Sequence, residues 1–146
     1  MGFSKMLELL QNKDKGYIIL ANAGNFYIAR GRDAIKLHDL LDLKTSCLET
    51  EICKVGFPLN SIEKYTKLIE EKQYSYIVYN FDSEKGRLEI LKKFNGKHKN
   101  EIQVERLNCY ICTNTVKMYK KTDKYIQAVA NLYEEELNSE ENQNEQ

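Results

Sequence analysis

No apolar run in this 146-residue chain approaches the roughly 18 residues that a membrane span requires, so no membrane partner is expected. The opening residues, Met1 to Met6, lack the apolar stretch and small-residue cleavage site of a signal peptide. Gly2 is present, but Met6 stands where a myristoylation signal wants Ser or Thr. These absences predict a cytoplasmic protein. There is no GxxxxGK[ST] loop to cradle nucleotide phosphates, and no GxSxG, HExxH or EF-hand pattern. Acidic residues sit singly at positions that read as solvated helix surface, and His38 beside Asp39 has no nucleophile to serve. The expectation is a protein that is not an enzyme and needs no cofactor and no metal. Proline occurs once and low-complexity tracts not at all, so no linker divides the chain.

What is present suits one domain. The chain is 42% hydrophobic and 30% charged, and a domain of this length buries enough surface to fold without disulfide or metal. Four cysteines do not change that reading. Cys109 and Cys112 have CxxC spacing, but Tyr110 and Ile111 between them suit a strand, which would turn the two sulfurs to opposite faces. Cys47 and Cys53 supply no second zinc-ribbon pair, so all four read as reduced thiols acting as small hydrophobes.

The formal net charge is zero, yet the charge is unevenly spread. Residues 134–146 carry six acidic residues and no Lys or Arg, which leaves a body, 1–133, of net charge +6. That sign permits an anionic partner; a solvated Lys/Glu surface with an acidic end is the alternative.

Periodicity orders the elements. Phe3, Met6, Leu7 and Leu10 form the stripe of an opening helix. Tyr17 to Ala21 is a short apolar run expected as a strand buried on both faces. Turn residues at Asn22 to Asn25 lead to a second strand, Phe26 to Ala29, as a hairpin. Gly31-Arg32-Asp33 opens a helix with Ala34, Leu37, Leu40 and Leu41 inside and Asp33 near the helix dipole. Leu48 to Lys54 alternates loosely, as an edge strand would. Asn60 and Glu63 suggest a capping box for a helix burying Ile62, Tyr65, Leu68 and Ile69. Strands are expected at Tyr74–Phe81, Arg87–Phe94 and Glu101–Cys112. A last helix, from about Thr122 to Leu137, places Tyr125, Ile126, Val129, Leu132 and Tyr133 on one side.

The sum is an α/β (mixed α+β) single domain, one mixed sheet flanked by about four helices. It runs over 1–133 and includes the C-terminal helix. Residues 134–146 form the helix end and an acidic tail too polar to order itself.

The order of motifs resembles the N-terminal mismatch-recognition domain of the MutS family. In that family an apolar strand leads to a G-D-F-Y-E-type turn, a D-A helix, an L-x-L-T-like segment, A-G-[IV]-P, N-Y-x-x-x-L and V-A-I-C-E-Q. This chain reads Gly24-Asn25-Phe26-Tyr27, Asp33-Ala34, Leu41-Asp42-Leu43-Lys44-Thr45 and Val55-Gly56-Phe57-Pro58. It continues with Glu63-Lys64-Tyr65-Thr66-Lys67-Leu68 and Tyr76-Ile77-Val78-Tyr79, and Val104-Glu105-Arg106 is similar to the segment that closes the family's domain.

The resemblance implies a mixed sheet with flanking helices and a nucleic-acid partner, DNA duplex or RNA–DNA hybrid. It further implies an F-x-E motif whose Phe wedges into the minor groove at a mispaired base while its Glu hydrogen-bonds that base. Phe26 matches the wedge. Ile28 occupies the Glu position with no hydrogen-bonding group, and Asn25 stands where Asp is usual. The family's clamp, lever and ATPase domains do not fit in 146 residues, so ATP-driven repair is not expected of this chain alone. Stand-alone domains of this kind accompany diversity-generating retroelements, which implies a protein partner such as a reverse transcriptase or a separate repair component.

Candidate nucleic-acid contacts are Asn25, Phe26, Tyr27, Arg30, Arg32, Lys92, Lys93, Lys97 and Lys99. Each has a plainer alternative. Phe26 could be a core strand residue, the arginines solvated loop charges, and the lysines, with His98, a charged hairpin guarding a sheet edge. Two functions follow. One is a non-catalytic module that binds distorted duplex. The other is a protein-interaction adaptor of the same fold that has lost mismatch recognition and docks through its terminal helix.

Overall fold

A computed structural model describes residues 2–49, 52–82 and 84–105. The expected helix from about 122, the acidic tail, Cys109 and Cys112 lie outside the described residues. Helix α1 (Gly2–Lys13) precedes the hairpin β1 (Ile18–Ala23) and β2 (Phe26–Arg30), then α2 (Arg32–Leu41). Strands β3 (Ser46–Glu49) and β4 (Ile52–Pro58) follow, then a 3-10 turn at Leu59–Ser61 and α3 (Ile62–Glu71). Strands β5 (Tyr76–Asp82) and β6 (Arg87–Phe94) complete a six-stranded sheet of order β3-β4-β2-β1-β5-β6. Only β1 and β5 run parallel among these neighbours. The fold is the mixed sheet with helices that the sequence predicts. No helix among the described residues is long and apolar enough to cross a membrane.

Central position explains the apolar run in β1. Ile18, Ile19, Leu20 and Ala21 are fully buried because helices cover both faces. Ile18 and Leu20 join Ala34, Leu37, Val55, Phe57 and Ile69 under α2 and α3. Ile19 and Ala21 join Leu7, Leu10, Ile28 and Ile77 under α1. Each buried Ile, Leu, Val or Phe among them contributes roughly 1.5–3 kcal/mol through burial.

Three expectations need correction. The single edge strand at Leu48–Lys54 is two strands, and β4 lies inside the sheet because it pairs with both β2 and β3. The Asn60 capping box does not form; a 3-10 turn covers Asn60, and Ser61 precedes α3 without a side-chain cap. The expected strand from Glu101 is irregular through Glu105, and the remainder of it lies outside the described residues.

That irregular segment is a strap. The Asn100 amide donates to Gly16 O at 2.7 Å, and the Cys53 amide donates to Glu105 O at 2.9 Å. Both contacts use backbone groups left over at strand ends, which would be costly to bury unpaired.

Candidate nucleic-acid interface

Phe26 opens β2 directly after the Gly24-Asn25 turn, opposite Ala23 on one side and Pro58 on the other. It is 47% exposed, which excludes a core role. Its strand is paired on both sides. The Leu59 amide donates to Asn25 O at 3.0 Å, tying the hairpin tip to the start of the 3-10 turn. Asn25 is itself exposed.

Strand alternation decides the fate of the next residues. Tyr27 points to the opposite face, is 4% exposed, and donates its hydroxyl to Asn80 Oδ1 at 2.8 Å. Burial pushes its pKa up. Tyr27 is therefore a core residue and not the surface contact the sequence suggested. Ile28 returns to the Phe26 face and packs in the cluster under α1. It forms an apolar floor beside Phe26 where the family pattern has a carboxylate.

The arginines are likewise corrected. Arg30 is 8% exposed under α1, where Nε donates to Ser4 Oγ at 3.0 Å and Nη1 to Gln11 Oε1 at 3.4 Å. Arg32 Nη1 donates to Glu105 Oε2 at 3.0 Å, and the Arg32 amide donates to Glu105 Oε1 at 3.0 Å. Glu105 also lies 3.9 Å from Arg30 Nη1. The strap thus engages both guanidinium groups internally, and neither is presented to a phosphate.

Beneath them sits a buried carboxylate. Asp33 accepts from Gln11 Nε2 at 2.9 Å, the Ile19 amide at 3.0 Å and Asn100 Nδ2 at 2.8 Å. Burial pushes its pKa up to about 6, against the pull of those three donors. The group joins α1, β1, α2 and the strap, a structural role the helix-dipole reading missed.

The lysines of the β6 end are not beside Phe26. Lys93 pairs with Ile77, which aligns with Ile19, whereas Phe26 aligns with Ala23. Four residues along the strand and three strands across separate them by roughly 20 Å. Lys92 donates to Glu63 Oε1 at 3.2 Å and Thr66 Oγ1 at 3.1 Å. Lys93 and Lys99 each lie over the Tyr17 ring, 5.4 and 5.1 Å from its centre. Lys97 is exposed.

Basic residues near the aromatic tip come instead from a region the sequence reading passed over. Cys53, Val55 and Phe57 face α2 and α3, so Lys54, Gly56 and Pro58 alternate onto the Phe26 face. A trough of about 700 Å³ opens there, lined among others by Phe26, Ile28, Gly56 and Pro58 with Lys44 and Lys54. The signal was the alternation within Ile52 to Pro58, hidden by treating Leu48 to Lys54 as one strand. A second cavity, of about 480 Å³, is lined by Asp82, Glu84 and Glu89 with Asn22, Asn80 and Phe81. The carboxylates of Asp82, Glu84 and Glu89 are interleaved with Lys85 and Arg87, so the β5–β6 turn is not of one sign, whereas the trough lining holds Lys44 and Lys54 and no carboxylate among the described residues.

The arrangement holds an exposed aromatic at a hairpin tip, with lysines lining the trough beside it. It can stack and attract phosphate; among the described residues no cluster of His, Cys, Asp or Glu could hold a metal. A family model described as MutS domain I matches residues 2–113. No curated protein matches the chain.

Proposed function

Because the chain belongs to the MutS domain I family, we propose that it is a non-catalytic module that binds distorted nucleic-acid duplex by wedging Phe26 between base steps. The single observation carrying this reading is the exposure of Phe26 at a tip pinned by Asn25 and Leu59. An apolar wedge must be exposed before binding and rigid during it. Unstacking a step requires a few kcal/mol, recovered as the kinked duplex touches more protein.

Ile28 shapes what such a module would recognise. An alkyl group cannot accept or donate a hydrogen bond, so preference would come from how easily a site kinks and not from which base is mispaired. Bulges and flexible mismatches would be favoured over perfect duplex. The trough lysine orients the ligand: the backbone would run past Lys54.

Fluorescence anisotropy with perfect, mismatched and RNA–DNA hybrid duplexes at two salt concentrations tests the reading. Micromolar or weaker binding that favours distorted duplex and weakens with salt is expected. Absence of binding at low salt would overturn it and leave the adaptor reading.

A further inference from the structure

We infer that the trough beside Phe26 seats one unpaired nucleobase of the bound strand, with Lys54 meeting a phosphate that flanks it. The inference rests on the nucleic-acid reading above and goes further by naming a subsite and its occupant. The trough adjoins the wedge, sharing Phe26 and Ile28 as walls. A base displaced by the wedge needs somewhere to go, and this is the apolar recess next to it.

Size and chemistry agree with such an occupant. About 700 Å³ lies within the range of sites that hold small organic ligands, roughly 300–1,000 Å³. Gly56 carries no side chain, and this lets Ile28 lie over it as part of the trough floor beside Pro58. Phe26 supplies aromatic surface for the face of a base, a contact indifferent to base identity. Lys54 supplies positive charge, and no Asp or Glu lines the trough among the described residues. An inorganic anion would have no use for the aromatic surface, and an apolar peptide none for the lysines. A base joined to phosphate uses both. Lys54 lies four residues along β4 from Pro58, about 13 Å, so base and phosphate contacts are separated along one strand direction.

Single-nucleotide-bulge duplexes test this, one carrying a base at the bulge and one an abasic residue. The parent is expected to bind the base-bearing bulge about tenfold more tightly. Ser46→Phe and, separately, Leu48→Trp fill the trough from β3 and should bring that ratio close to one while leaving perfect-duplex binding within twofold. Either filling variant suffices if the other fails to fold. A ratio that persists in the folded filling variants would overturn the trough and leave the Phe26 wedge standing. Equal binding of both bulges by the parent, each better than perfect duplex, would do the same. Calorimetry with adenosine monophosphate separates the other source of a base: micromolar binding abolished by Ser46→Phe would assign the trough to a free nucleotide and overturn the inference. Failure to bind any duplex would remove both readings together.

Discussion

Ile28 Cδ1 lies so close over Gly56 that a Cβ built on Gly56 would stand 2.7 Å from it. The two residues face each other across β2 and β4, and the contact fills the position where the family pattern places a carboxylate. Restoring that carboxylate should therefore not restore base reading. Ile28→Glu is expected to lower stability by about 2 kcal/mol or more, because it withdraws an alkyl group from the cluster of Leu7, Ile19 and Ile77 and sets a charge against it. Urea denaturation reads the effect. A variant as stable as the parent would mean that position 28 reaches solvent.

Much of this fold could be read from the chain because its strongest signals are local. The stripe of α1, the apolar run of β1 and the Gly24-Asn25 turn depend on neighbours a few residues away, and each formed within one or two residues of expectation. The site was harder to read because it depends on register. Arg30 is four residues from Phe26 and so shares its sheet face, yet α1 covers that end of the strand, which sequence spacing alone does not reveal. Lys44 and Lys54 approach the trough only because β3 and β4 fold back on each other and β4 inserts beside β2. Glu105 finds Arg32 across more than seventy residues of chain. No local pattern announces such a pair.

Asp33 should give the protein a pH-dependent stability. Its folded pKa of about 6 lies above the usual 3.8, so between those values the folded state holds a proton that the unfolded state releases. Stability contributed by this group is thus greatest below about pH 4, falls as pH rises through 6, and is level above that. The difference amounts to about 3 kcal/mol at 1.36 kcal/mol per pH unit. Comparing the parent with Asp33→Asn by urea denaturation from pH 4 to 7.5 isolates the group, since the other carboxylates titrate in both. The gap between the two curves should change across that window; parallel curves would contradict the assignment.

The basic residues should divide into two classes. Glu105→Ala removes the acceptor for the Arg32 guanidinium and amide and is expected to lower stability by about 1–2 kcal/mol. Arg32→Ala should change nucleic-acid affinity less than twofold. Lys54→Ala should weaken binding at every sequence and shallow the dependence of log affinity on log salt by about one unit. Affinity and salt slope measured by anisotropy separate these outcomes. A larger loss from Arg32→Ala than from Lys54→Ala would place the phosphate path on the wrong side of the sheet.

The central claim is that Phe26 is a wedge exposed for binding and not for packing. Its most direct measurement is the ratio of affinities for a single-nucleotide-bulge duplex and the matching perfect duplex, taken for the parent and for Phe26→Ala. Since the ring is already half in solvent, the variant should melt within a few degrees of the parent. On the wedge reading the parent should prefer the bulge about tenfold or more, and Phe26→Ala should bind the two duplexes almost equally, with its salt dependence intact. A Phe26→Ala protein that keeps the parent's preference for the bulge would contradict it.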